Sequence, residues 1–247
     1  MRAGVIIQTR MGSTRLPGKV MLDICGKPVI QHVIERIRQS KELDEIIIAT
    51  TTLRQDDIIA DEAQRNGVRC FRGSEDDVLS RYYFAAKEND LDVVVRVTSD
   101  CPLIDPLVTG DIVKFYKDNN YDIVTNACPD LTKRTYPRGL DTEVFSFRIL
   151  EDAFNNARQK YQREHVTPYI YENSKNIHYY KNNTDYSEYR WTLDTKEDFE
   201  LISTIYRCLY KGSHDFYYQD ILNLIKAYPE IASINEAVEQ KKITDAG

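Results

Sequence analysis

Short apolar runs alternate with longer amphipathic stretches over the first half of the chain. Arg2 to Gln8 (RAGVIIQ) and Glu45 to Thr50 (EIIIAT) are apolar runs bounded by turn signals, which predicts strands buried on both faces. Between them, Val29, Ile30, Val33, Ile34 and Ile37 mark one stripe of a helix over Pro28 to Gln39, with Pro28 in its first turn. Asp56 to Asn66 reads as a second helix, stopped at Gly67, and Val68 to Phe71 as a third strand. The alternation continues with a helix over Asp76 to Asn89, a strand over Asp92 to Val97 (DVVVRV), a helix over Pro106 to Asn119 and a strand over Tyr121 to Thr125. Strands and helices in this order predict an α/β fold, a mostly parallel sheet covered by helices on both faces.

From Asn126 to Leu140 the pattern loosens into a polar, basic stretch punctuated by Pro129, Pro137 and Gly139. It reads as a long loop, and long loops inside compact domains are often functional. Asp141 to Phe147 alternates like a strand with one wet face, and Arg148 to Arg158 is amphipathic. Ile177 to Lys181 and Tyr189 to Leu193 read as short strands, after which helices run to the C-terminus. No linker, repeat or low-complexity tract divides the chain. Residues 1–247 therefore read as one domain, with 126–190 as an inserted, substrate-facing lobe.

Composition narrows the class. A chain of 247 residues, 42% of them hydrophobic, can bury a core without disulfide or metal staples. Its 33 Lys and Arg against 39 Asp and Glu leave a net charge of −6, which argues against a nucleic-acid partner. No apolar run reaches membrane-spanning length and no signal-peptide pattern opens the chain, so a cytoplasmic protein without membrane contact is expected. Cys25, Cys70, Cys101, Cys128 and Cys208 are odd in number and form no CxxC pair, and they read as reduced thiols. Against the overall acidity, the segment from Met1 to Leu22 carries Arg2, Arg10, Arg15 and Lys19 and no acid. That asymmetry points to a bound anion.

The cations fall in the loop after the first strand, Q8-T-R10-M-G12-S13-T-R15-L-P17-G18-K19. Ligands of α/β sheets sit at the carboxyl ends of strands, and backbone N–H groups of a Gly-rich turn can cradle phosphate oxygens. A solvated basic loop is the bland alternative. It is not a P-loop, because five residues separate Gly12 from Gly18 and Val20 stands where a magnesium-binding hydroxyl is needed. The dinucleotide fingerprint G-x-G-x-x-G is also absent.

This loop resembles the signature of the sugar-acid cytidylyltransferases, the group of the Kdo and acylneuraminate cytidylyltransferases. Within it, the match is with the branch of spore coat polysaccharide biosynthesis protein F. R96-V-T-S-D100-C-P-L-I-D105-P, R138-G-L-D141-T-E143, R163-E-H165-V-T-P-Y169 and W191-T-L-D194 follow in the family's order, so the resemblance covers most of the chain. It implies a Rossmann-like sheet of the nucleotide-diphospho-sugar transferase type. The implied reaction joins CMP from CTP to a small anionic sugar acid, with release of pyrophosphate and dependence on Mg2+. A homodimer, with 126–190 serving acceptor binding and dimerisation, is implied as well.

Asp100 closes a strand on the same sheet edge as the phosphate loop, where a carboxylate beside phosphates is a natural Mg2+ ligand. The resemblance makes Asp194 the second carboxylate, while its place before Thr195 and Lys196 also suits a helix N-cap. Asp105, just before Pro106, reads as a helix cap. Arg10, Arg15 and Lys19, with Asp100, form the catalytic set, the cations stabilising departing pyrophosphate. In the family's manner, Ile7, Gln8, Gly12, Ser13, Arg72 and Arg81 surround the nucleotide, although Arg72 and Arg81 read equally as helix-flanking charges. Arg138, Asp141, Glu143, Arg163 and His165 are implied on the acceptor side, His165 in binding rather than as a base. Two other readings stay open, a nucleotide-sugar glycosyltransferase and a non-catalytic nucleotide sensor. The first is disfavoured because no D-x-D pair follows a buried strand.

Overall fold

The computed structural model describes residues 1–128 and 132–240. In chain order its elements are β1 (Ala3–Gln8), β2 (Asp23–Ile24), β3 (Lys27–Pro28), α1 (Val29–Ile37), β4 (Glu45–Thr51), α2 (Asp57–Arg65), β5 (Arg69–Gly73) and α3 (Val78–Glu88). There follow β6 (Val93–Thr98), α4 (Pro106–Asp118), β7 (Ile123–Thr125), β8 (Glu143–Ser146), α5 (Phe147–Asn156), α6 (Lys160–His165), α7 (Pro168–Asn173) and β9 (Ile177–Tyr179). The C-terminal part is helical, with α8 (Lys196–Leu209), α9 (Tyr218–Ala227) and α10 (Glu230–Ser233).

Seven strands form one sheet in the order β5-β4-β1-β6-β8-β7-β9. β5, β4, β1 and β6 are parallel, β8 runs antiparallel between β6 and β7, and β9 is parallel to β7. The expected α/β fold is therefore present. Successive residues of β1 show why its run is uninterruptedly apolar. Val5 and Ile7 enter a core with α1, α4, α8 and α9, whereas Ile6 enters the opposite core with α3, α5 and α7. Strand order reverses at β1, which has β4 on one side and β6 on the other. The crevice at the carboxyl ends of β1 and β6 is thus the topological switch point, the place where open α/β sheets bind ligands.

The structure departs from the sequence pattern in several short stretches. Tyr189 to Leu193 is not a strand. Its backbone is extended, but Arg138 N donates to Tyr189 O and Trp191 N to Arg138 O, while Leu193 N donates to Asp100 O. These bonds go to two separate loops, so only one bridge, Arg138 with Arg190, is ladder-like. The β2–β3 hairpin and the one-turn-scale helices α6 and α7 were not legible either, being shorter than any periodicity can register. Of the long loop, Pro129 lies outside the described residues.

Candidate active site

The loop that follows β1 is pinned at both ends. Met11 N donates to Asp56 Oδ1 at 2.8 Å, and buried Asp56 is held in turn by the Thr51 hydroxyl. Gly18 N then donates to Met11 O at 3.1 Å, closing the loop on itself. Gly18 has φ 68°, a left-handed setting that glycine adopts without strain, and it opens the short turn that presents Lys19. Ser13 stays inside the loop, its hydroxyl accepting from Leu16 N at 3.4 Å. Arg10 reaches outward, with Glu75 at 3.7 Å, beyond a short ion pair.

Lys19 is the centre of the arrangement. Its Nζ donates to Asp100 Oδ2 at 2.8 Å and to Asp194 Oδ1 at 2.7 Å, so two carboxylates 94 positions apart in the chain meet on one cation. Burial works against the ammonium, but the two aspartates outweigh it and raise its pKa. Burial likewise works against ionised Asp100, yet Lys19 and the Thr98 hydroxyl, 2.6 Å from Asp100 Oδ1, bring its pKa down to about 2. Asp100 is therefore a carboxylate at any physiological pH. Arg15 lies 2.8 Å from Asp194 Oδ2, as a second loop cation on the same group.

Asp194 does not cap α8. The cap is Thr195, whose side chain accepts from Asp198 N in a reciprocal capping box, which leaves the Asp194 carboxylate free to face Lys19. Its position is set by residues that the motif reading passed over. Arg190 NH2 donates to Asp194 Oδ2 at 3.0 Å, and the same guanidinium grips fully buried Asp198 through Nε and NH2 at 3.0 and 3.1 Å. Asp198 also accepts from Asp194 N and from Asn235 Nδ2. The available signals were the i,i+4 spacing of Arg190 to Asp194 and Asp198 at the third helical position after Thr195.

On the nucleotide side, Ile7 is fully buried and Gln8 half-buried at the end of β1. Ser99 N donates to Gln8 O, and Arg96 NH2 donates to Gln8 Oε1 at 3.2 Å. Gly12 has room for a Cβ, with Gln55 Nε2 and Glu75 Oε1 the near neighbours at 3.6 and 3.7 Å. Arg72 and Arg81 brace backbone. Arg72 donates to Thr51 O and Leu53 O and pairs with Asp57, while Arg81 donates to Ser74 O and Glu75 O. They thereby shape the β4–α2 and β5–α3 loops that rim the crevice.

The acceptor-side residues fall into separate surroundings. Glu143, opposite Arg96 in the β6–β8 ladder, accepts from Arg96 and from the Tyr171 hydroxyl, forming a buried polar floor. Asp141 accepts from Arg134, which is itself buried. Arg163 is drawn to α3, donating to Asp77 Oδ2 at 2.9 and 2.7 Å and to the carbonyls of Phe154 and Ala157. His165 is the last residue of α6, followed by Val166 at φ 71°, a costly setting for a β-branched residue. Arg138 lines a cavity of about 390 Å3 with Arg190, Trp191 and Asn235, and its charge is disfavoured by burial and by the like charges of Arg134 and Arg190. Asp105 caps α4, accepting from Leu107 N and Val108 N, as its place before Pro106 predicts.

A basic loop at the switch point of an α/β sheet, with one aspartate from just after β6 and one from an extended segment before α8 on one cation, defines the class: a nucleotidyltransferase of the nucleotide-diphospho-sugar transferase fold. The comparisons make this specific. The model of the cytidylyltransferase family matches residues 4–241. A cytidylyltransferase structure from Leptospira borgpetersenii superposes with a TM-score of 0.88 at 38% identity, covering 97% of this chain and 100% of that one. The spore coat polysaccharide biosynthesis protein SpsF of Bacillus subtilis is 32% identical over 243 residues, 94% of this chain and 97% of its own. The uncharacterized protein MJ1063 of Methanocaldococcus jannaschii is 39% identical over 240 residues, 96% and 95% of the two chains. The chain belongs to the cytidylyltransferase family.

Proposed function

We propose that this protein transfers CMP from CTP to a hydroxyl of a small anionic sugar acid, a nonulosonic acid or a related surface-polysaccharide sugar, and releases pyrophosphate. The observation that carries the reading is the meeting of Asp100 and Asp194 on the Lys19 ammonium beside the basic loop. The names of relatives agree with it, since they include a spore coat polysaccharide biosynthesis protein and 3-deoxy-manno-octulosonate cytidylyltransferases.

The residues fit a divalent cation. Lys19 is a stand-in for one, because its single charge already satisfies an oxygen from each aspartate at hydrogen-bond distance. Hard carboxylate oxygens suit Mg2+, which takes one or two of them and fills its remaining positions with phosphate oxygens and water. Two carboxylates match the one or two that this mode of binding uses. When bound, the ion would polarise the α-phosphate and lower the pKa of the attacking hydroxyl.

The chain's own residues supply the rest. Arg10, Arg15 and Lys19 hold the triphosphate tail and offset the charge that builds on pyrophosphate as the α-phosphorus–oxygen bond breaks. The rim loops braced by Arg72 and Arg81, with the β1 backbone at Ile7 and Gln8, hold the nucleoside, and the polar floor under Glu143 faces the acceptor. Catalysis is then chiefly positioning and charge neutralisation. The same reading includes a homodimer, which light scattering coupled to size exclusion checks as twice the chain mass.

The direct test incubates the protein with CTP, Mg2+ and a panel of sugar acids and follows pyrophosphate. The reading expects release with CTP and a matched sugar acid, and none when chelator replaces Mg2+. Nucleotide binding without release across the panel would speak for a sensor. Sugar transfer from a nucleotide sugar would speak for a glycosyltransferase.

A further inference from the structure

We infer that Lys19 keeps the metal position closed until a triphosphate draws its ammonium away, so that a divalent cation is admitted only together with the nucleotide. The inference rests on the magnesium reading above and adds an order to it. Every oxygen of the two carboxylates already accepts a donor. Asp100 Oδ1 accepts from Thr98 and Oδ2 from Lys19, Asp194 Oδ1 accepts from Lys19, and Oδ2 faces Arg15 and Arg190. A metal ion arriving alone must displace the Lys19 ammonium from between Asp100 Oδ2 and Asp194 Oδ1.

Charge points the same way. Lys19, Arg15 and Arg190 stand against Asp100, Asp194 and Asp198, so the cluster is balanced without a metal. Two further positive charges with no anion would be uncompensated beside a Lys19 side chain that is only 11% exposed and an Arg190 side chain only 8% exposed. A triphosphate changes both conditions. It brings the missing negative charge, and it offers the ammonium a second set of oxygens within the loop that Lys19 itself closes. Once Lys19 turns to the phosphates, Asp100 Oδ2 and Asp194 Oδ1 are left facing one another, two anions with no cation between them. That pair attracts a divalent ion that the resting site repels.

Metal and nucleotide are then linked ligands, each tightening the other by the same factor. Lys19 is the residue that makes them so. Removing its charge should uncouple them: the metal alone should bind better, although the nucleotide binds worse. A purely structural lysine, or one that only contacts phosphate, gives no gain in metal affinity when it is lost.

The experiment uses Mn2+ alone as probe, without nucleotide, and reads the loss of the free-ion electron paramagnetic resonance signal. Wild type, Lys19→Met and Lys19→Gln are compared, each also with Asp100→Asn, and circular dichroism verifies the fold of every variant. Expected is weak binding to wild type, binding tighter by about tenfold or more in the two Lys19 variants, and loss of that gain with Asp100→Asn. Equal or weaker Mn2+ binding in both Lys19 variants overturns the inference. Tight Mn2+ binding to wild type that Asp100→Asn abolishes also overturns it while leaving the metal reading intact. Binding that is indifferent to Asp100→Asn places the metal elsewhere and overturns both.

Discussion

Two aspartates from distant segments share a cation only if each carboxylate is held from behind, and Thr98 and Arg190 do the holding. Thr98 fixes one oxygen of Asp100 and Arg190 one of Asp194, which turns the other oxygen of each toward Lys19. Asp100→Asn keeps the shape but removes the charge, so turnover should fall by about a hundredfold or more, and the melting temperature should fall as well because Lys19 loses one of its two carboxylate partners, as steady-state kinetics and a melting curve would show. Arg190→Met acts at one remove. On the proposed magnesium reading, losing the residue that orients Asp194 should cost about 10–100-fold in apparent Mg2+ affinity, with the Km for CTP far less affected. A Mg2+ titration of activity separates these, and an unchanged Mg2+ dependence would leave Arg190 with a role in folding only. Asp100 was legible because a strand-end acid beside a basic loop is a chemical pattern in itself. Arg190 and Asp198 were not, since their importance lies in which neighbours they touch, and tertiary packing alone decides that.

Among the elements, the parallel half of the sheet was legible almost to the residue, because strands buried on both faces leave uninterrupted apolar runs such as EIIIAT of β4. The segment from 126 to 190 was harder to read. Its order comes from single contacts, as at Gly139, where φ is 99° and a Cβ would lie 2.5 Å from the carbonyl of Trp191. Gly139→Ala therefore should cost about 2 kcal/mol or more, readable as a lower urea midpoint, and should disturb the neighbouring Arg138 and Arg190. Another contact invisible in the sequence joins α1 to the segment after α8. His32 Nε2 donates to Ile24 O, and His32 Nδ1 lies 2.9 Å from His214 Nε2. Burial and then Arg36 lower the His214 pKa to about 4. The unfolded chain takes up that proton near the ordinary imidazole value, so this contribution is complete above that value and is lost as pH falls from it toward 4. Urea midpoints should accordingly drop between about pH 7 and about pH 5, and His214→Gln should flatten the drop. An equally steep fall in that variant would place the sensitivity elsewhere.

At the scale of the whole molecule, the function follows from where the chain reverses its strand order. β1 lies between β4 and β6, so the loop after β1 and the carboxylate after β6 open on one crevice, and the extended segment ending at Asp194 is tied to it through Leu193 N and Asp100 O. The tyrosines of 126–190 also find their place here. Tyr180, Tyr186 and Tyr189 pack with Tyr136, Trp191 and Tyr218, joining this segment to α9 and the core beneath it. Among the described residues no helix is long and apolar enough to cross a membrane.

Crystals grown with CTP and Mn2+ would test this most directly, because anomalous scattering locates the ion independently of the protein density. One Mn2+ is predicted within about 2.2 Å of an oxygen from each of Asp100 and Asp194, with the triphosphate in the loop from Arg10 to Lys19 and the Lys19 ammonium on a phosphate. A manganese peak away from either aspartate, or a triphosphate bound outside that loop, would contradict the account.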